Sequence, residues 1–235
     1  MKNIAVIPAR SGSKGLPDKN IRNLAGKPLL VYSVESAVSS GMFDTVMVST
    51  DSERYADIAR KAGAEVPFLR SSEMSSDHAG SWDAVEEVLA NYRKLGKTFD
   101  TVTLLQPTSP LRTAQDIRDA FRVMKEKNAN AVVSVCEMDH SPLQCDVLPE
   151  DGCMDQFVSK AAREKRRQDM ETYYRVNGAV YLVKTPYLLE DHDICRNRSY
   201  ALIMDRKRSV DIDNEIDFRL AEVLLSSSME SGIGE

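Results

Sequence analysis

The sequence predicts an α/β fold: three layers built on a mostly parallel central sheet. Two observations carry this. Apolar, β-branched runs of about five residues recur along the chain, the habit of strands covered on both faces. Between them lie segments with apolar residues at helical spacing, so strand and helix alternate and the connections are right-handed crossovers. At 235 residues and 42% hydrophobic content the chain has the size of one such domain with a small appendage.

In chain order, strands are expected at 3–8, 45–50, 65–69, 101–106, 131–136, 176–183 and 200–204. Leu30, Val34, Ala37 and Val38 share one helical face, and Gly41 supplies the stop. Tyr55, Ile58, Ala59 and Ala62 form a second stripe that ends at Gly63, and Trp82, Val85, Leu89 and Tyr92 a third. Thr113-x-x-Asp116 reads as a capping box ahead of Ile117, Ala120, Phe121 and Met124. Ile216, Leu220, Val223 and Leu224 make the last helical stripe. Residues 137–175 break the rhythm: they are polar and irregular, and read as an inserted arm within a single domain spanning 1–227. The charge run Lys160…Arg163-Glu164-Lys165-Arg166-Arg167-Gln168-Asp169 is either part of that arm's function or a solvated helix face. The small, polar tail from Ser226 is expected to fray, with 228–235 flexible.

A net charge of −5 argues against a general nucleic-acid binder, which needs a broad basic face. No apolar run reaches the roughly 18–20 residues of a membrane span, and the first strand is too short for a signal-peptide core, so a cytoplasmic location is expected. Four cysteines without a C-x-x-C spacing are expected to be free thiols, and three scattered histidines offer no zinc site.

Against that acidic background, residues 1–30 hold six Lys/Arg and one Asp, a local +5. The first strand runs directly into Ala9-Arg10-Ser11-Gly12-Ser13-Lys14-Gly15-Leu16-Pro17-Asp18-Lys19-Asn20. Small residues let backbone N–H groups crowd an anion, and Arg10, Lys14 and Lys19 add charge. This is not a Walker loop: Gly26-Lys27 is followed by Pro28, with Ile21 where the first glycine belongs. Nor is it a dinucleotide fingerprint, because Arg10 stands in the first glycine position before Gly12 and Gly15. Cations threaded through the loop suit a triphosphate whose leaving pyrophosphate must be neutralised, rather than a surface turn with incidental charge.

Val210-Asp211-Ile212-Asp213 is the second chemical feature. In an extended segment both carboxylates point one way and Ile212 the other. Two such carboxylates suit Mg²⁺ shared with substrate phosphates. Alternatively Asp213 is the cap of the following helix, or serves in both roles. Ligands of doubly wound sheets bind at the carboxyl ends of strands. Ser49-Thr50-Asp51 stands at one such end and Gln106-Pro107-Thr108-Ser109-Pro110 at another. The latter is placed to hydrogen-bond a polyhydroxylated substrate, or is simply a strand-to-helix connector. The polar loop Ser71–Ser81 either reads a base edge or is only a mobile loop.

With these segments in this order, roughly over 3–225, the chain resembles the acylneuraminate cytidylyltransferases, the CMP-sialic acid synthetases. The resemblance rests on Ile7–Pro17, Lys19-Asn20, Val48–Asp51, Leu105–Arg112, Arg166–Asp169, Asn177–Tyr181 and Ser209–Asp213. The synthetase for the eight-carbon sugar Kdo shares the general fold but typically lacks the Ser-Lys-Gly found here. The resemblance implies a Rossmann-like nucleotidyltransferase fold with a small dimerisation arm. It implies a reaction in which CTP and a nine-carbon 2-keto sugar acid give a CMP-sugar and pyrophosphate. It implies Arg10, Ser13, Lys14 and Lys19 on the triphosphate, and Asn20, Arg70, Ala79 and Ser81 on ribose and cytosine. It places Gln106, Thr108 and Ser109 toward the sugar, with Asn177 and Tyr181 nearby. It makes Asp211 and Asp213 the ligands of Mg²⁺ or Mn²⁺. It implies a homodimer or a dimer of dimers, the arm packing on a partner and Arg175 reaching the neighbouring active site, with no nucleic acid or membrane partner. Some members carry Lys in the arm where this chain has Gln144. The acid that the resemblance implies is N-acylneuraminate or a relative such as legionaminate, pseudaminate or deaminated neuraminate. Two other functions fit parts of the pattern: a metal-dependent nucleotide-sugar glycosyltransferase, which usually needs no cationic first loop, and a sensing module, which would tolerate erosion of Arg10, Lys14, Asp211 or Asp213.

Overall fold

The computed structural model describes residues 1–12, 15–75, 80–155, 157–158, 163 and 171–231, the backbone alone at 228–231. Its centre is a six-stranded sheet. The strands are β1 (Asn3–Pro8), β4 (Thr45–Ser49), β5 (Thr101–Leu104), β6 (Ala131–Glu137), β7 (Tyr174–Lys184) and β8 (Ser199–Ile203), in the spatial order β4-β1-β5-β7-β6-β8. β2 (Asn23–Leu24) and β3 (Lys27–Pro28) form a separate small ribbon. β1 pairs parallel with β4 and β5, and β6 parallel with β8. β7 runs antiparallel between β5 and β6. Its N-terminal end therefore lies at the same edge as the carboxyl ends of the others, bringing Arg175 to the rim where β6 ends.

Helices cover both faces. On one side lie α1 (Leu29–Ser40), α2 (Glu53–Lys61) and α4 (Ala114–Glu126). Their Leu30, Val34, Tyr55, Ala59, Ile117 and Ala120 pack with Ala5 and Ile7. On the other, α3 (Ser81–Lys94) and α5 (Thr185–Glu190) bury Val85, Val88, Tyr92, Tyr187 and Leu188 against Ile4 and Val6. The alternate residues of β1 thus serve opposite cores, as the pleat requires. α1 stops at Gly41, whose φ of 67° needs no side chain. α4 begins with the expected box: Thr113 Oγ1 accepts from Asp116 N–H, and Asp116 accepts from Thr113 N–H.

Three expectations need correction. Residues 65–69 form no strand; only Glu65 makes a parallel bridge, with Met47, and Arg70 N–H then donates to Thr50 C=O. The chain turns away because Arg70 is drawn to the end of β4. The last helix, α6 (Glu215–Ser231), runs past the point where fraying was expected. It also buries a different stripe: Phe218 and Ala221 are enclosed, while Ile216 is 78% and Val223 62% exposed. The period was right but the phase was wrong, because Phe218 packs with Leu16, Leu24, Leu29 and Ile212 in a third core beneath the first loop. All four cysteines are free. Most of the charge run 160–169 lies outside the described residues.

Candidate active site

The loop after β1 is held by its backbone and by carboxylates. Asp51, just past β4, accepts from Ser11 N–H at 2.7 Å and from Ser11 Oγ at 2.8 Å. The Asn20 side-chain amide donates to Arg10 C=O at 3.0 Å. Asp18 takes a left-handed conformation (φ 52°) and accepts from Tyr55 O–H at 2.9 Å. Glu215 takes Arg22 in a two-toothed ion pair, which docks the start of α6 beside this loop.

The Asp211–Asp213 segment comes to the same place. Ile212 is fully buried in the third core, and its N–H donates to Thr108 C=O at 2.9 Å, fastening the segment to the turn after β5. Lys19 Nζ donates to Ile212 C=O at 2.5 Å and stands 3.4 Å from Asp213 Oδ1. A Cβ on Gly15 would lie 2.8 Å from Asp213 C=O, so the glycine permits this close approach. The cap of α6 is Asn214, whose side-chain oxygen accepts from Ile216 and Asp217 N–H groups. Asp213 is relieved of that role, and its carboxylate stands 78% exposed.

Between these walls lies a cavity of about 400 Å³. Arg10, Lys19, Asn20, Arg70, Ser81, Gln106, Thr108 and Asp213 line it, with Gly15 and Met74. A second cavity, of about 750 Å³, is lined by Arg175, Ser209, Asp211 and Asp213, so Asp213 borders both. Arg70 is buried and donates to Ser49 Oγ and C=O; desolvation pulls its pKa down, with Asp51 opposing.

Asp211 is mostly enclosed. Burial pushes its carboxyl above the usual range, a Thr108 hydrogen bond draws it back, Asp213 pushes it further up, and Lys19 and Arg175 lower it. Its Oδ1 is buried and has no hydrogen-bond partner among the described residues. A buried, unpaired carboxylate oxygen beside a second carboxylate is a fit donor set for a hard divalent cation. Among the described residues no group of three or more His, Cys, Asp or Glu could hold a metal, so an ion here would take its other ligands from phosphate and water.

Not every expected residue faces the cavities. Ser13, Lys14 and Ala79 lie outside the described residues. Ser109 is fully buried, its hydroxyl unpartnered. Asn177 is 1% exposed with its amide spent inside the protein. Tyr181 stacks edge-on against Trp82, and burial raises its pKa, with Asp211 and then Cys195 adding to the rise. Arg175, exposed and lining the second cavity, donates to the chain's own Ser209 C=O at 3.3 Å. Sequence reasoning gave no role to Asp51 or Arg112. Asp51 had one signal, a carboxylate just past a strand; Arg112 entered only as the end of the Leu105–Arg112 segment, and it is 3% exposed. Among the described residues no helix is long and apolar enough to cross a membrane.

Comparison with known proteins gives the family and the fold. CMP-N,N'-diacetyllegionaminic acid synthase of Legionella pneumophila is 35% identical over 98% of this chain and 99% of its own length. N-acylneuraminate cytidylyltransferase of Streptococcus agalactiae is 38% identical over 93% of this chain, which spans 52% of that protein. Among solved structures, CMP:2-keto-3-deoxy-manno-octonic acid synthetase complexed with CTP superposes with a TM-score of 0.71 over 97% of this chain and 100% of that one, at 17% identity, a likeness of fold. The profile of the family described as Cytidylyltransferase matches residues 4–226, and the chain belongs to that family.

Proposed function

We propose that the chain joins the CMP group of CTP to a nine-carbon 2-keto sugar acid, an N-acylneuraminate, and releases pyrophosphate. The observation that carries this reading is the meeting of the first loop with the aspartate segment. Lys19 contacts both Ile212 C=O and Asp213 beside a cavity lined by Arg10. Such a site suits transfer at the α-phosphorus: one flank neutralises leaving pyrophosphate, the other holds the carboxylates that suit a metal.

The sugar's anomeric oxygen attacks the α-phosphorus, the bond to the oxygen bridging to the β-phosphorus breaks so that pyrophosphate leaves, and the hydroxyl proton passes to solvent. Reactions of this kind depend on positioning and charge compensation. Arg10 and Lys19 balance the charge on the departing pyrophosphate, in company with Lys14. Asp211 and Asp213 would hold Mg²⁺, which would supply Lewis-acid polarisation of the reacting oxygens. Gln106 and Thr108 present polar groups to the sugar from the turn after β5. The arm packs on a second copy: Val147 is 88%, Leu148 57% and Met154 56% exposed, apolar surface that a partner would cover.

The legionaminate relative, matched over nearly its whole length, favours a second reading in which the acid is a diacetylated legionaminate. A pyrophosphate-release assay decides. CTP with N-acetylneuraminate, legionaminate, pseudaminate and deaminated neuraminate is compared with ATP, GTP and UTP. The proposal expects turnover with CTP alone and fastest with N-acetylneuraminate. A higher kcat/KM for legionaminate adopts the second reading, and no release with any pair defeats both.

A further inference from the structure

β7 departs from its ladder beside the site. Val176 pairs with Val135 and Tyr181 with Val133, so Asn177, Gly178, Ala179 and Val180 stand opposite the single residue Ser134. Bulges cost ladder bonds and recur where a strand must re-aim side chains. Here side chains replace those bonds. Ser134 Oγ accepts from Val180 N–H at 2.7 Å and donates to Asn177 Oδ1 at 2.6 Å. Ala179 N–H donates to Asn177 Oδ1 at 3.2 Å, and the buried Arg112 guanidinium donates to Ala179 C=O at 2.8 Å.

The chain of bonds then leaves the sheet. Asn177 Nδ2 donates to Ser209 Oγ at 2.9 Å, and Ser209 Oγ donates to Asp205 C=O at 2.8 Å, fixing the backbone two residues before Asp211. Ser134, Asn177 and Ser209 are each 1% exposed. In such surroundings an unpaired partner is costly, so the arrangement holds one geometry. At its apex sits Gly178, with φ 77°. A Cβ there would lie 2.3 Å from Gln106 Oε1 and 3.4 Å from Asp211 Oδ2.

We infer that the β7 bulge is a positioning device for the Asp211 carboxylate: Ser134, Asn177 and Ser209 brace the backbone that carries it, and Gly178 leaves the space in which Asp211 and Gln106 stand together. Asn177 is thereby a positioning residue with no direct contact to the sugar. The inference rests on the reading of Asp211 as a metal ligand.

The test is Mn²⁺ binding to the intact protein with CTP and no sugar, followed by electron paramagnetic resonance, beside thermal unfolding and kinetics. Ser209→Ala is expected to weaken Mn²⁺ about tenfold and to lower kcat by a similar factor, leaving KM for CTP within twofold. Ser209→Thr, which keeps the hydroxyl, is expected to restore most of both. Gly178→Ala is expected to weaken Mn²⁺ at least as much, and serves should Ser209→Ala fail to fold. Wild-type Mn²⁺ affinity in folded Ser209→Ala and Gly178→Ala overturns the inference, as does a loss of melting temperature and kcat without a change in Mn²⁺ affinity. Asp211→Asn separates the two readings. If it binds Mn²⁺ like the parent, the metal assignment falls and takes the brace with it. If it binds weakly while Ser209→Ala binds normally, the brace alone falls.

Discussion

Lys19 Nζ stands 3.4 Å from Asp213 Oδ1, across 194 residues of sequence. The side chain of Lys19 is only 13% exposed, so the ammonium is presented from a fixed stem. Without a nucleotide, each group tempers the other's charge.

Lys19→Met removes that fixed cation without shortening the side chain greatly. Loss of one strong contact to developing charge is worth about 3–4 kcal/mol, roughly 10²–10³ in rate. Steady-state kinetics should show that fall in kcat/KM for CTP, with KM for the sugar acid little changed. A variant within threefold of the parent would remove Lys19 from charge compensation.

Gly15 and Gly12 make a matched pair for a second experiment. Gly12 has φ 77° with nothing among the described residues within 4 Å of an added Cβ, so Gly12→Ala meets backbone strain alone, about 1–2 kcal/mol. At Gly15 the obstacle is the Asp213 carbonyl at 2.8 Å, backbone that cannot swing aside. Gly15→Ala must push the first loop away from the aspartate segment. It should cost at least tenfold more in kcat than Gly12→Ala. Equal losses in both would mean that the close approach is irrelevant to turnover.

How much of this was legible in the sequence follows from the range of each interaction. Apart from the strand expected at 65–69, the alternation of strands and helices, the capping box at Thr113 and the stop at Gly41 are local and were read correctly. The phase of α6 was not, because Ile216 and Phe218 look equally apolar until the loop at Leu16 decides which is covered. The meeting of Lys19 with Asp213 was expected only as two ends clamping one ligand; direct contact depends on the ordering of β1, β5 and β7. Asn177 illustrates the limit best. A motif placed it near the sugar, whereas its burial depends on Ser134 and Ser209, far away in sequence. The bulge that unites them has no local signature beyond Gly178.

Arg112 bears a structural load that its residue type conceals. Its guanidinium reaches Ala179 C=O and Gln106 C=O at 2.8 and 3.2 Å, tying the bulge to the turn after β5. Burial pulls its pKa down to about 9, with Asp116 opposing. Arg112→Met takes the buried donor from Ala179 C=O, whereas Gln106 C=O keeps Ser33 Oγ and Ser109 N–H, and release of a buried charge offsets part of the loss. The balance is a destabilisation of about 2 kcal/mol, or roughly 4–8 °C in Tm. Arg112→Lys, with one compact donor in place of the fork, should recover less than half. Calorimetry showing Arg112→Met as stable as the parent would demote these bonds to bystanders.

The raised pKa of Asp211 sets a pH dependence whose sign can be worked out. Desolvation is the leading cause, so the folded protein binds the proton more tightly than the unfolded chain, whose carboxyl titrates near 3.8. Stability is therefore lost, not gained, as pH rises from the unfolded pKa through the folded one. Above that window the ionised carboxylate is a standing cost to the metal-free protein. Asp211→Asn should accordingly melt higher than the parent at pH 7 in the absence of divalent ions. The gap should close as pH falls toward the unfolded pKa, where the parent's carboxyl is itself neutral. Mg²⁺ with CTP should reverse the order, because only the parent's carboxylate gains from the ion. Thermal melts of both proteins across that range, with and without Mg²⁺ and CTP, check each part. A gap that widens with acidity would show that the carboxylate is held by a favourable charge in the metal-free state.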